Sequence, residues 1–589
     1  MTRRLAAGLL AGVLAVGGCG VPTSSDVEYV RPGPATGPQP PTGGEAPPDA
    51  DDATTPEEQV ENFLQAAAGH PDGAADRLRE FLLPADRERW QPEENIRVVR
   101  LSQAPFVSPD ADGGWRVGLT VQPVGTLHRL GYLDAVTGGQ TSYDFRVVSE
   151  GALEGDVRGD SLRLRIANPP PVMLLVDTAL TNEDYYYPTP IYFWDNADHD
   201  QLVPDLRWLP QAGEPADQHP GIVLDWLIEG PAPTLSRLQS LPGGTDPVEP
   251  PVWAEDNQLV VNLNATALER QDVDDLGNQL AWSLLQLRPG AELELRIEGQ
   301  RQEFTPRSRT WARDDPVRLA VLDGAIRQLS GDGPESFRLL SEEVNSGVLA
   351  GALTRDGRLA ALVREDPAGQ RLSVTRAEEG SEPVETQTGL VAPEIGQPTW
   401  LRAGGDALGL VVADGGLYRF TAAGDSADRL SVSGLAGQVT AVAVAPEHRR
   451  VALVAGDELY IATLQLDGES VIIQAPRALP TTVENLAGVA FSHENRLVVA
   501  AENKDDRVGL YSLTVDGGLE TQLGDLGNAS VTSLVAHTYE DGTDLEAIMY
   551  EADEQAFTFA GTPTLVRAED LLDAPEEPES PPRAPFFAD

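Results

Sequence analysis

Val348-Leu349-Ala350-Gly351-Ala352-Leu353-Thr354-Arg355-Asp356-Gly357-Arg358-Leu359-Ala360-Ala361-Leu362-Val363 decides the architecture of the larger part of this chain, because it recurs. Counterparts stand at Val439–Val454, where Ala445-Pro446-Glu447-His448-Arg449-Arg450-Val451 fills the turn, and at Leu486–Ala501, where Phe491-Ser492-His493-Glu494-Asn495-Arg496-Leu497 does so. Fainter copies span Pro398–Val412 and Val531–Met549. The landmarks Leu359, Leu408, Val451, Leu497 and Leu545 lie 49, 43, 46 and 48 residues apart. A period of that length, with about four short strands per repeat, is the signature of a β-propeller. Each blade shields its neighbours, and closure of the ring removes exposed sheet edges. Five repeats are plain, and Val317–Gln328 together with residues after Ala556 can supply a sixth by joining the two ends of the chain. The expectation is an all-β C-terminal propeller of five to seven blades over residues 310–570, followed by a disordered acidic, proline-rich tail at 571–589.

Upstream, residues 187–299 read as an α/β domain. Ile191-Tyr192-Phe193-Trp194 is a strand, Asp195 to Asp200 a polar turn, and Gln201 to Pro210 the returning strand. Ile222–Leu227 ends in Glu229-Gly230-Pro231, and the Leu241-Pro242-Gly243-Gly244-Thr245 turn leads to the strand Gln258–Leu263. Val273, Leu276, Leu280, Leu284 and Leu287 share one helical face, and Leu293, Leu295 and Ile297 alternate on a final strand. This order closely resembles the GerMN domain, named from spore germination proteins.

Residues 57–180 combine helices with antiparallel strands, an α+β domain. Thr55 caps a helix opened by Pro56, with Val60, Phe63, Leu64 and Ala67 on its apolar stripe. A second helix covers Ala75–Leu82, and strands follow at Ile96–Leu101, Trp115–Val121, Tyr143–Val148 and Ser161–Ile166. The element order resembles the NTF2-like cone folds. Residues 31–56 are dominated by Pro, Gly, Ala, Asp and Glu, and the reading of residues 19–56 is a lipidated N-terminus followed by a disordered linker.

The first eighteen residues read as a signal peptide. Arg3 and Arg4 precede a twelve-residue apolar run, Leu5 to Val16. Such a run makes about 18 Å of helix, short of a hydrocarbon core of about 30 Å. Val16-Gly17-Gly18-Cys19 resembles the lipobox of bacterial lipoproteins, which implies cleavage between Gly18 and Cys19 and an S-diacylglyceryl and N-acyl group on Cys19. Cys19 is the only cysteine in the chain. An exported lone thiol would be a liability unless modified, and two acyl chains anchor stably without a basic patch.

The 589 residues carry 43 Lys+Arg against 93 Asp+Glu, a net charge of −50. Such a chain is repelled by nucleic acid and by anionic headgroups, so neither nucleic-acid binding nor electrostatic adhesion to a membrane is expected. His70, His128, His199, His219, His448, His493 and His537 are scattered without metal-ligand spacing, and His448 and His493 occupy equivalent turns of the repeat. The Asp195–Asp200 turn has Ala197 at the third ligand place of a calcium loop and lacks the closing Gly and Glu. No nucleophile elbow, P-loop or dinucleotide fingerprint follows an expected strand. No catalytic residue, metal or cofactor is expected, and the sequence assigns no partner-binding residue. Tyr185-Tyr186-Tyr187 beside Trp194 reads either as a partner anchor or as filler between the two N-terminal domains.

Lipobox, α+β segment, GerMN-like segment and propeller, in this order, resemble the LpqB family of actinobacterial lipoproteins. The resemblance implies a membrane-anchored, extracytoplasmic, non-catalytic accessory protein. It would contact the ectodomain of the MtrB sensor kinase and tune the MtrA–MtrB two-component system in cell division and envelope homeostasis. The alternative is a glycan-binding or envelope-processing lipoprotein that uses the propeller funnel. Several inward carboxylates and aromatics in that funnel would favour the alternative.

Overall fold

The computed structural model describes residues 44–111, 113–150, 163–195, 201–308, 316–330, 341–377, 382–401, 407–538 and 548–588. The signal peptide, Gly18, Cys19, His199 and most of the Asp195–Asp200 turn lie outside these residues.

The first domain is a helix pair on a sheet. The Thr55 hydroxyl accepts a hydrogen bond from the amide of Glu58, and the Glu58 carboxylate accepts one from the Thr55 amide, so the helix Pro56–Ala66 opens on a capping box. Its stripe of Val60, Phe63 and Leu64 is buried, with Phe63 packed edge-on against Phe81 and Phe145 at 5.9 and 5.6 Å between ring centres. Under it the strands run in the order Leu164–Ala167, Thr141–Ser149, Trp115–Leu127, Ile96–Leu101, Met173–Val176. All neighbours are antiparallel except the last pair, where Ile96 stands opposite Met173 in a parallel register.

Part of the expected linker is packed against this domain. Ala50 and Ala53 are buried, and the guanidinium of Arg165 holds the Ala50 carbonyl at 3.3 Å and the Asp51 carboxylate at 2.6 Å. The composition of residues 44–56 suggested nothing to bury, but small alanines can enter a core where the neighbouring backbone is tied down by one arginine.

The second domain holds two sheets. Tyr186–Asp195 pairs with Leu202–Pro210 and with the short Leu238–Gln239. The other sheet runs Pro247–Trp253, Gln258–Leu263, Glu292–Ile297, Gln300–Gln302. Its central strands are parallel, Gln258 opposite Glu292, as their connection through the helix Val273–Leu284 requires. Asp272 caps that helix by accepting from the amide of Asp275 at 2.9 Å. Leu276, Leu280 and Leu284 meet Val223 and Leu227 of the helix His219–Glu229 over Leu259, Val261 and Leu295.

Among the described residues the C-terminal part is a ring of six sheets. Five are four-stranded meanders, at 348–392 (blade one), 399–429 (two), 439–478 (three), 484–527 (four) and 531–565 (five). The sixth joins both ends of the domain: Arg318–Leu322 pairs with Ala325–Gln328 on one side and with Arg583–Phe587 on the other. Each adjacent pair of sheets shares a buried apolar cluster, including blades five and six through Met549, Val566, Ala320 and Phe587, and blades six and one through Phe586, Leu319, Val348 and Leu362. The ring is therefore closed.

The expected disordered tail is the closing strand. Ala584, Phe586, Phe587 and Ala588 are buried, Leu572 donates its amide to the Gln328 carbonyl at 2.8 Å, and Asp323 accepts from the Ser580 amide at 2.8 Å. The prolines and acids of residues 573–582 dominate the composition there and conceal the short apolar run that follows.

Candidate functional site

The hairpin formed by Tyr186–Asp195 and Leu202–Pro210 is where the three domains meet, and every residue of its second strand is buried. Its alternating aromatics are shared out among the neighbours. Tyr186 enters the core of the first domain and donates its hydroxyl to the Gly69 carbonyl at 3.1 Å; burial pushes its phenol above the usual range. Trp208 donates its indole N–H to Asp516 of blade four at 2.8 Å. Tyr192 donates to the Glu494 carboxylate, and Arg449 pairs with Asp195. Gly518 lets this seam close, since a Cβ there would lie 2.7 Å from the Trp208 ring.

Two buried arginines organise the joint. Arg207, 0% exposed, bonds Asp205 at 2.6 Å, the Leu130 carbonyl at 2.7 Å and the Gly230 carbonyl at 3.1 Å, and lies over the Tyr132 ring. Arg450 bonds Glu447 at 2.7 Å, Asn495 at 2.9 Å and the Glu494 carbonyl at 2.6 Å, which ties blade three to blade four under the hairpin. Burial works against the charged form of Arg450, but Glu447, Glu494 and Asp205 together outweigh it and hold the guanidinium above its ordinary value. Burial pushes the Asp516 carboxyl up, against the pull of Thr514, Gly518 and Trp208. A cavity of about 90 Å³ at the seam is lined by Tyr132, Asp205, Arg450, Arg477 and Asp516.

The larger space is the propeller channel, about 1420 Å³, at the ends of the first strands of the blades. Its wall includes many Ala, Val and Thr residues together with Trp400, Phe491, Phe586 and Phe587, and Gln201 of the hairpin reaches it. Among the described lining residues Asp356 is the only carboxylate, whereas Arg355, Arg358 and Arg376 bring three guanidiniums from blade one, and His448 and His537 face the same space.

The histidines are dispersed. His70 accepts from the Asp72 amide at 3.4 Å, His128 stacks on Tyr132 with 4.3 Å between ring centres, and His219 is 0% exposed with no hydrogen-bond partner for either ring nitrogen. His448 sits at the tip of blade three with φ of +57°. Among the described residues no three His, Cys, Asp or Glu are grouped as a metal site. Of the aromatic cluster, Tyr185 and Tyr186 join the first core and Tyr187 packs on the second, so the filler reading of these tyrosines holds. Sequence reasoning missed Asp205, Arg207 and the Arg450 network. The signal available was the departure of the blade-three and blade-four turns, Glu447-His448-Arg449-Arg450 and His493-Glu494-Asn495-Arg496, from the Asp-Gly turn of blade one.

Comparison with known proteins agrees with this order of parts. Family profiles described as "Lipoprotein LpqB, N-terminal domain", "Sporulation and spore germination" and "Lipoprotein LpqB beta-propeller domain" match residues 47–181, 190–303 and 324–557. A protein named Lipoprotein LpqB from Cutibacterium acnes is 25% identical over 541 residues, 84% of this chain and 85% of that protein. Another of that name from Thermobifida fusca is 32% identical over 146 residues, 24% of this chain and 22% of that protein. TolB from Acinetobacter baumannii aligns over 46% of this chain and 66% of its own at 14% identity and a TM-score of 0.32, too low a likeness to carry an argument. Among the described residues no helix is long and apolar enough to cross a membrane. With all three of its domains matched in sequence order and a relative of that name aligned over 84% of this chain, the chain belongs to the LpqB lipoprotein family.

Proposed function

We propose that this protein is a lipid-anchored accessory subunit on the extracytoplasmic face of the cell membrane, held there through Cys19. In this reading it binds the ectodomain of a sensor kinase of the MtrB kind and acts without catalysis. One observation supports this above the others: the first domain, the GerMN domain and the propeller meet at one hydrogen-bonded joint, the hairpin bonding the first domain through Tyr186–Gly69 and the propeller through Trp208–Asp516, Tyr192–Glu494 and Arg449–Asp195. A body of that kind presents surfaces of several domains in a fixed relation, which suits docking on a partner more than opening and closing on a substrate. The channel's chemistry argues the same way, because its one described carboxylate, Asp356, is engaged by Thr354 at 2.7 Å and by the Arg358 amide at 3.0 Å. A funnel built for carboxylate catalysis requires a pair of them.

The test is a pull-down from membranes with the soluble form, Gly20 to Asp589, read by mass spectrometry. Recovery of a sensor kinase, abolished when the propeller surface or the GerMN surface is altered, supports the reading. Recovery of wall fragments alone overturns it in favour of the glycan-binding alternative.

A further inference from the structure

One turn of the first domain is tied to both of its neighbours. It joins the strand Trp115–Leu127 to the short strand Leu133–Ala135, and the amides of His128 and Gly131 close it on the carbonyls of Tyr132 and His128 at 3.0 and 2.9 Å. The GerMN hairpin grips it, since the Trp208 amide donates to the Gly131 carbonyl and the Arg207 guanidinium to the Leu130 carbonyl, both at 2.7 Å. The propeller meets it through Arg477, on the last strand of blade three: the guanidinium lies 3.8 Å from Asp134 and 3.5 Å from the carbonyl of Val515, the residue before Asp516. His128 stacks on Tyr132 and brings its Nε2 to 3.4 Å from the other oxygen of the same Asp134 carboxylate. One carboxylate therefore serves two basic groups, a histidine of its own domain and an arginine of the propeller. The other charged groups about the turn are paired: Arg207, 5.2 Å over the Tyr132 ring, holds Asp205 at 2.6 Å, and Arg129 lies 3.7 Å from Glu229. Asp205, Arg450 and Asp516 complete the charged lining of the cavity that Tyr132, Asp134 and Arg477 border.

We propose that His128, Asp134 and Arg477 form an acid-responsive clasp between the first domain and blade three, tight while the imidazole is neutral and loosened when it takes a proton. Histidine is the side chain suited to such a role, because it changes charge over mildly acid pH. While the imidazole is neutral, the whole Asp134 charge faces Arg477 across the domain boundary. Once protonated, the imidazole competes for that charge from within the first domain. Opening the clasp carries Arg477 away but leaves His128 and Asp134 together on their turn. The opened form therefore binds the proton more tightly than the closed one, and by linkage acid shifts the equilibrium toward opening. The side chains of His128, Asp134 and Arg477 are 23%, 42% and 24% exposed, so water screens their coupling and the response is graded, a few-fold change in the opened population. This goes beyond the kinase-binding reading and does not depend on it.

The test is hydrogen–deuterium exchange on the soluble form at pH 7.5 and 5.5, corrected for the intrinsic rate at each pH and read on peptides covering 128–136 and 474–480. The opened population should rise about two- to fivefold at the lower pH. His128→Gln keeps a polar side chain but takes no proton, and should lose that rise. Arg477→Gln should already exchange faster than the parent at pH 7.5 and gain little more at pH 5.5. Two other groups answer to acid, Asp516, whose carboxyl burial pushes up, and His219, whose imidazole burial pushes down, so the readout is the difference between parent and variant at each pH. An equal rise in the parent and in His128→Gln, no rise in the parent, or a rise in Arg477→Gln as large as the parent's would each overturn the proposal. So would an equal rise in peptides from the helix Pro56–Ala66, which would mark general loosening. None of these readouts involves a partner, so a failure here is distinct from a failure of the kinase-binding reading.

Discussion

Replacing Arg450 by Met should open the joint between the GerMN hairpin and the blades below it. The guanidinium is 5% exposed and makes three hydrogen bonds, to Glu447, Asn495 and the Glu494 carbonyl. Met fills much of the volume but leaves the Glu447 carboxylate buried without a counter-charge, and one of its oxygens, Oε2, already lacks a hydrogen-bond partner. Breaking a buried pair from one side costs about 3–5 kcal/mol. The lower bound of about 3 kcal/mol corresponds to a roughly 100-fold rise in the population of locally opened molecules. Hydrogen–deuterium exchange of peptides covering 445–451 and 491–497 reads that population directly when exchange follows the opening equilibrium. Peptides from the helix Pro56–Ala66 should not change. Adding Glu447→Leu removes the orphaned charge and should restore most of the protection. The reasoning fails if Arg450→Met accelerates exchange less than about tenfold, or if the double variant exchanges as fast as the single one.

Deleting residues 583–589 should leave Arg318–Leu322 with an open edge, lower the thermal transition and promote association through the bare strand; a monomer of unchanged melting temperature by light scattering and calorimetry would contradict the closure. His219 is buried without partners, and desolvation holds its pKa at about 4 against 6.5. The unfolded chain therefore takes a proton that the folded one refuses: stability is full above about 6.5 and falls by about 3 kcal/mol as the pH drops to about 4. His219→Leu should flatten that slope in urea titrations at pH 7 and 4.5, and equal slopes would refute it. Gly277→Ala would gain about 1 kcal/mol from helix propensity alone, but its Cβ would lie 2.3 Å from the Phe304 ring, so a net loss is expected by denaturant titration, and a gain would refute the contact.

Much of the fold was legible because its signals are periodic. The landmarks Leu359, Leu408, Val451 and Leu497 each begin or nearly begin the second strand of a blade, and the apolar stripes of the helices Pro56–Ala66 and Val273–Leu284 are the buried faces. What was hidden has physical causes. Phe586 and Phe587 are two residues behind a proline-rich, acidic run, and a closing strand needs a partner some 270 residues upstream to show itself. The packing of residues 44–56 rests on Arg165, whose role no local pattern announces. The joint was invisible for a related reason: Trp208 and Asp516, or Tyr192 and Glu494, are some 300 residues apart, and neither partner is unusual in its own neighbourhood.

The blade turns hold the one local clue, and its logic bears on why the joint is polar. Thr354 and Asp356 in blade one, and Thr514 and Asp516 in blade four, close their turns with the same hydroxyl-to-carboxylate bond, at 2.7 and 2.6 Å. The first, between the first two strands of its blade, lies at the channel mouth, and the second, between the last two strands of its blade, lies at the joint, its other oxygen taking the Trp208 indole. Glu447, Arg450 and Glu494 replace the simple turn where the hairpin lands. An apolar interface of the same area could bind as strongly, since buried ion pairs contribute little net stability over well-packed hydrophobic groups. Apolar faces, however, tolerate sliding, whereas these hydrogen bonds are lost within a fraction of an ångström. A joint made this way fixes the angle at which the GerMN hairpin stands over the channel.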